Sequence, residues 1–153
     1  MRLSDILSQN HVIPDLKAKD KKGVLAELVD VIVHSDPTLD KNSLVKVLLE
    51  RERLGSTGIG DGVAIPHGKF QGLKRPIIAF GRSRKGLDFD AMDGEAVFLF
   101  FLLVAPEDSA SIHLKALAKI AKIIKSRSFR DELMQAPTRE EIYQTIIQND
   151  EQL

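Results

Sequence analysis

The sequence predicts a single α/β domain, a sheet covered by helices, and three observations carry that expectation. Apolar residues recur at helical spacing in two early and three late segments, while the middle holds short apolar runs of strand length. No repeat, low-complexity tract or linker interrupts the chain, so residues 1–153 read as one domain. That length suffices for one core that buries roughly two-thirds of the unfolded surface.

The first helix is expected over residues 21–34, where Val24, Leu25, Leu28 and Ile32 share a face and Asp20 stands where an N-cap belongs. A second follows over residues 41–54, with Asp40 or Asn42 near its start and Gly55 as its stop. The glycine-rich stretch Gly55-Ser-Thr-Gly-Ile-Gly-Asp-Gly62 then leads into the short apolar run Val63-Ala-Ile65. Residues 76–81 and 95–104 read as strands. Between them GRSRKGLDFDAMDG reads as a loop, with room for a short strand around residues 87–89. Residues 109–125 set Leu114, Leu117, Ile120, Ala121 and Ile124 against Lys115, Lys119 and Lys122, an apolar side and a lysine stripe expected to face water. A short helix around residues 129–135 comes next, and Thr138-Arg-Glu-Glu141 is a capping box opening the last one. These elements leave open whether the sheet is parallel, antiparallel or mixed.

Composition excludes several classes of function. Lys+Arg and Asp+Glu both number 22, so no net field draws the chain to nucleic acid or to an anionic membrane. There is no cysteine, which removes disulfides, thiolate nucleophiles and Cys-ligated zinc. The apolar run 96–106 is about half of the ~20 residues that a membrane helix needs, so no membrane insertion is expected. The opening MRLSDILSQN lacks a basic-then-apolar export pattern, which makes the cytoplasm the expected location. The four histidines (His11, His34, His67 and His113) show no His-Glu-x-x-His or clustered spacing, so neither metal nor cofactor is expected.

Helical phase supplies the sharpest chemical signal. Arg51 shares a face with Leu44, Val47 and Leu48, whereas Arg53 projects the opposite way. In the helix from residue 109, His113 lies in line with Leu117, Ile120 and Ile124. Inward polar groups need partners, since burying them unpaired is costly. A satisfied core histidine, and an arginine that complements the helix dipole, are the plain alternatives.

His67 stands in Gly58-Ile-Gly-Asp-Gly-Val-Ala-Ile-Pro-His-Gly68. Glycines free backbone N–H groups to cradle an anion, Pro66 stiffens the approach, and Gly68 lets the chain turn. Ser56 and Thr57 add hydroxyl donors and Lys69 a positive charge. A neutral imidazole in such surroundings is a good nucleophile toward phosphorus, and nearby donors would stabilise the transferred phosphoryl oxygens. The loop's candidates are therefore His67 as phosphoryl acceptor, with Ser56, Thr57, Gly58 and Gly68 as phosphate-binding positions. P-loop, dinucleotide and Gly-x-Ser-x-Gly patterns all fail on spacing. A purely structural turn remains the competing account of these glycines.

The run Arg51-Glu-Arg-Leu-Gly-Ser-Thr-Gly-Ile-Gly-Asp-Gly-Val-Ala-Ile-Pro-His67-Gly-Lys69 resembles the phosphorylation-site region of the mannitol/fructose-type enzyme IIA domains of the phosphoenolpyruvate phosphotransferase system. The nearest likeness is to their nitrogen-regulatory branch. Phe89-Asp-Ala-Met-Asp-Gly94 and His113-Leu-Lys-Ala-Leu-Ala-Lys-Ile-Ala are similar to the same family, so the resemblance spans nearly the whole chain. It implies a mixed β-sheet sandwiched by helices, with residues 1–153 as one IIA type 2 domain. It also implies that His67 takes a phosphoryl group from an HPr-like phosphocarrier protein, with His113 and Arg51 beside it. Partners implied by the nitrogen branch are regulatory targets such as sensor kinases or potassium-transport proteins. Two alternatives stand beside that reading: a fructose/mannitol-specific IIA component feeding a IIB domain, and a phosphorylation-independent binding module.

Overall fold

The computed structural model describes residues 1–152, so Leu153 lies outside the described residues. Two short 3-10 turns lead into strand β1 (Val12–Ile13), followed by helices α1 (Lys21–Ser35) and α2 (Lys41–Arg53). Strands β2 (Gly58–Gly60), β3 (Val63–Ala64), β4 (His67–Phe70), β5 (Ile77–Leu87) and β6 (Val97–Pro106) come next. Helices α3 (Ala110–Ile123), α4 (Arg127–Gln135) and α5 (Arg139–Glu151) complete the chain. The expected caps form: Asp20 accepts from Gly23 N, Asp40 from Ser43 N, and Thr138 from Glu141 N.

The sheet runs β1-β5-β6-β3-β2, with β4 also paired to β6. It is mixed: β5 and β6 are antiparallel, whereas β1 runs parallel to β5 and both β3 and β4 run parallel to β6. β3 pairs at Leu99 and Phe100 and β4 from Leu103 to Pro106, so they are successive pieces of one edge. Ile65 and Pro66 interrupt that edge, and Pro66, with no N–H to give, still accepts from Leu103 N. Alternation along β6 sends Leu99, Phe101 and Leu103 to a core under α3, α4 and α5. Phe100, Leu102 and Val104 go to a second core under α1 and α2. Helices thus cover both faces, the expected sandwich.

Three expectations need correction, the first being Leu114, which helical spacing sets on the apolar side of α3 but which is 65% exposed because the buried face runs through His113, Ala116, Ile120 and Ile123. The stretch after Gly81 is not a loop: β5 continues through Arg82-Ser-Arg-Lys-Gly-Leu87, with a register shift between Arg82 and Leu87 and Gly86 at φ 75°. Its central charge is hidden, because Arg82 is 0% exposed. Its Nε donates to Pro14 O at 3.0 Å and its Nη1 to Leu133 O at 2.8 Å and Ala136 O at 2.6 Å, closing off the α4 C-terminus. The lysine stripe of α3 is likewise not wholly solvated, since Lys119 Nζ lies 2.9 Å from the buried Asp150 carboxylate.

Candidate active site

His67 opens a strand rather than sitting in a loop, so its backbone is fixed by the ladder to β6 opposite Leu103. Its ring is pinned as well: Nδ1 lies 2.8 Å from the Ile65 carbonyl. A carbonyl only accepts, so Nδ1 must carry the proton and the lone pair of the neutral ring falls on Nε2.

His113 comes from the other side. It sits in the first turn of α3, is 6% exposed, and its ring meets that of His67 edge-on, with centroids 5.4 Å apart and planes at 61°. Its Nδ1 is buried without a hydrogen-bond partner among the described residues. Arg51, at the C-terminal end of α2, donates from Nη1 to Gly55 O at 2.8 Å. The inward phases of Arg51 and His113 thus converge on one depression of about 510 Å³, lined by Val47, Arg51, Leu54, His67, Gly68 and His113.

Gly68 belongs to this group for a steric reason. A Cβ there would lie 2.9 Å from Val47 Cγ1 and 3.6 Å from Leu48 Cδ2, so only glycine lets α2 press this closely on β4. Ser56, Thr57 and Gly58 are not brought into the depression with a free donor. Ser56 Oγ donates to Phe89 O, the Thr57 amide and hydroxyl donate to Glu52, and Gly58 N donates to Ser56 Oγ.

Electrostatics keep both rings neutral near neutral pH. Burial pushes His67 below the usual histidine range and the Arg51 charge adds to this, while the Ile65 carbonyl and Glu52 act the other way. Burial likewise lowers His113, with further depression from His67 and Lys69. A neutral, oriented imidazole beside a guanidinium and a second imidazole suits attack on an anionic electrophile such as a phosphoryl group. No group of His, Asp and Glu that could hold a metal ion occurs among the described residues, and no helix there is long and apolar enough to cross a membrane.

Sequence reasoning passed over Glu52. Its side chain is 3% exposed, and it faces inward by the same rule that flagged Arg51, four residues after Leu48 and seven after Val45.

Residues 5–149 match the family described as "Phosphoenolpyruvate-dependent sugar phosphotransferase system, EIIA 2". The chain is 37% identical over 147 residues to a nitrogen regulatory protein of Pseudomonas aeruginosa, covering 96% of each. It is 33% identical over 150 residues to the PTS system fructose-specific EIIABC component of Bacillus subtilis, covering 98% of this chain but only 24% of that much longer protein. Among solved structures, the nitrogen regulatory protein IIA-Ntr from Neisseria meningitidis is similar at a TM-score of 0.87 and 36% identity, covering 94% of this chain and 98% of that one. The chain belongs to the EIIA 2 family of the phosphoenolpyruvate-dependent sugar phosphotransferase system.

Proposed function

We propose that this chain is a phosphohistidine carrier, a protein-to-protein phosphotransferase that accepts a phosphoryl group on Nε2 of His67 from an HPr-like phosphocarrier protein. One observation carries the reading: the Nδ1 contact to Ile65 O commits the proton to that nitrogen and turns the lone pair of Nε2 to the partner. In the transfer, the bond from phosphorus to the donor's histidine nitrogen breaks as the bond to Nε2 forms, the two nitrogens being in line. Arg51 exchanges its single carbonyl acceptor, Gly55 O, for phosphoryl oxygens, a stronger charge-assisted pairing. His113 supplies a second polar edge, and Gly68 lets α2, which carries Arg51, lie close against β4.

A protein donor is supported by the rim. Leu54 is 85% exposed at the lip of the depression, suited to burial under a partner. The likeness to nitrogen regulatory proteins supports output through regulatory targets such as sensor kinases or potassium-transport proteins. The likeness to a fructose-specific EIIABC component supports a second reading, in which the phosphoryl group passes on to a IIB domain. In either case we take residues 1–153 as one IIA unit working in the cytoplasm.

The test is direct. Incubation with phosphoenolpyruvate, enzyme I and an HPr-like carrier is expected to add one acid-labile phosphoryl group, with nitrogen-15 spectra placing it on Nε2. His67→Ala is expected to gain none. A wild type that stays unmodified, or a variant modified equally, would sink the proposal, as would a phosphoryl group on Nδ1 for the nitrogen assigned.

A further inference from the structure

Glu52 is a buried charge that does not line the depression around His67. Its carboxylate receives the Thr57 amide at 3.2 and 3.3 Å, the Thr57 hydroxyl, and Lys21 Nζ at 3.2 Å. These contacts do not end at Thr57. The Thr57 carbonyl accepts from Ile65 N at 3.0 Å, and the Ile65 carbonyl accepts from His67 Nδ1 at 2.8 Å. A succession of contacts therefore runs from a sealed carboxylate, through the backbones of Thr57 and Ile65, to the ring of the acceptor histidine.

We propose that Glu52 is a positioning residue, which fixes the tautomer and orientation of His67 by holding Thr57 and, through it, Ile65. The inference rests on the phosphocarrier reading for its kinetic consequence but not for its structural one. An ionised acceptor makes shorter and stronger bonds than a neutral one, so Glu52 fixes where Thr57 lies, and the Thr57 carbonyl in turn fixes Ile65. The carboxylate is costly to desolvate, and Lys21 compensates it from the first residue of α1. Lys21 is itself held 3.2 Å from Asp90 and 4.8 Å over the Phe89 ring, so residues 89–90 fix the cation that compensates the carboxylate. Such an anchor suits the glycine-rich segment, whose residues otherwise cost the most backbone entropy to hold still. Gly55, where Arg51 rests, is held by the backbone of the same residue, its N–H donating to the Glu52 carbonyl at 3.1 Å.

The test uses the full chain with Glu52→Gln, Thr57→Val and Thr57→Ser, read in two ways. Nitrogen-15 and proton spectra of His67, which need no phosphoryl donor, report its tautomer. Rates of phosphoryl acceptance from the HPr-like carrier report the consequence. Glu52→Gln and Thr57→Val are expected to shift His67 from the pure Nδ1–H form to a mixture, and to slow acceptance about tenfold, the scale of a sub-ångström misplacement. Thr57→Ser, which keeps the hydroxyl and the amide, is expected to restore both readouts. Loss of stability in Glu52→Gln and Thr57→Val with tautomer and rate unchanged would reduce Glu52 to a scaffold residue and overturn the inference. If Glu52→Gln fails to fold, Thr57→Val decides the question alone. If wild type takes up no phosphoryl group, the phosphocarrier reading fails while the tautomer comparison still judges Glu52.

Discussion

Replacing Gly68 by alanine isolates the packing that brings Arg51 to His67. Gly68 is not among the glycines with positive φ, so alanine meets no backbone strain there, and the space it needs is set against about 0.4–1 kcal/mol gained by restricting the unfolded chain. The new Cβ would stand 2.9 Å from Val47 Cγ1, against 3.4 Å where ordinary contact begins, so α2 or Val47 must give by about 0.5 Å. Overpacking of this kind costs about 1–3 kcal/mol. Val47 lies one turn before Arg51, so a displaced α2 also moves the guanidinium, and phosphoryl acceptance falls with stability. Val47→Ala removes the offending methyl. By itself it costs about 1 kcal/mol at this half-buried position. Combined with Gly68→Ala it relieves the clash, so the double variant should be as stable as Gly68→Ala or more so, and faster in transfer. The chain has no tryptophan and one tyrosine, so urea unfolding is best followed by far-UV circular dichroism. A Gly68→Ala variant with unaltered midpoint and rate, or costs that simply add in the double variant, would refute the steric account.

Arg51→Ala removes a half-exposed side chain with one carbonyl partner, so it should slow phosphoryl transfer about a hundredfold or more while the unfolding midpoint barely moves. Collapse of the circular-dichroism signal would instead make Arg51 structural. Arg82→Leu should lower unfolding free energy by about 3 kcal/mol or more, because the carbonyls of Pro14, Leu133 and Ala136 lose a charged donor within the core. Near-wild-type stability of that variant would contradict this account of β5. Stability should also depend on pH through His11, His67 and His113, all lowered by burial from their ordinary 6.5. A lowered folded value means that the unfolded chain takes up protons first. The stability these neutral rings allow is therefore complete above 6.5 and lost as pH falls below it. Unfolding midpoints that stay flat between pH 7.5 and 5.0 would refute that, and His67→Gln with His113→Gln should flatten the slope.

The helices were legible because their signals are local. Periodic apolar residues and a capping side chain lie within a few positions of each other, and the caps at Asp20, Asp40 and Thr138 form as read. Strands β1 to β4 are two to four residues long and exist through pairing with distant partners, so no local window contains their cause. The second half of β5 was hidden for the same reason. Arg82 reads as a surface residue until the chain returns 51 to 54 positions later, with the exposed carbonyls of the α4 C-terminus, to satisfy it.

The site shows where phase analysis works and where it stops. An inward polar residue on an amphipathic helix calls for a partner inside: phase turns Arg51, His113 and, unread, Glu52 inward, and Glu52 is the one whose partners are protein groups of the interior. Phase alone cannot say whether the partner is scaffold or ligand. The difference lies in saturation. Arg51 is half-exposed with a single carbonyl acceptor, so it can exchange that acceptor for an anion at little cost. Glu52 is sealed and receives three donors, so nothing remains for it to exchange. Thr57 falls on the scaffold side because its amide and its hydroxyl both already serve Glu52, although a glycine-rich context makes it look like a phosphate ligand. The glycines there let a short segment lie flat over a buried carboxylate, and the anion that segment cradles most closely is the protein's own.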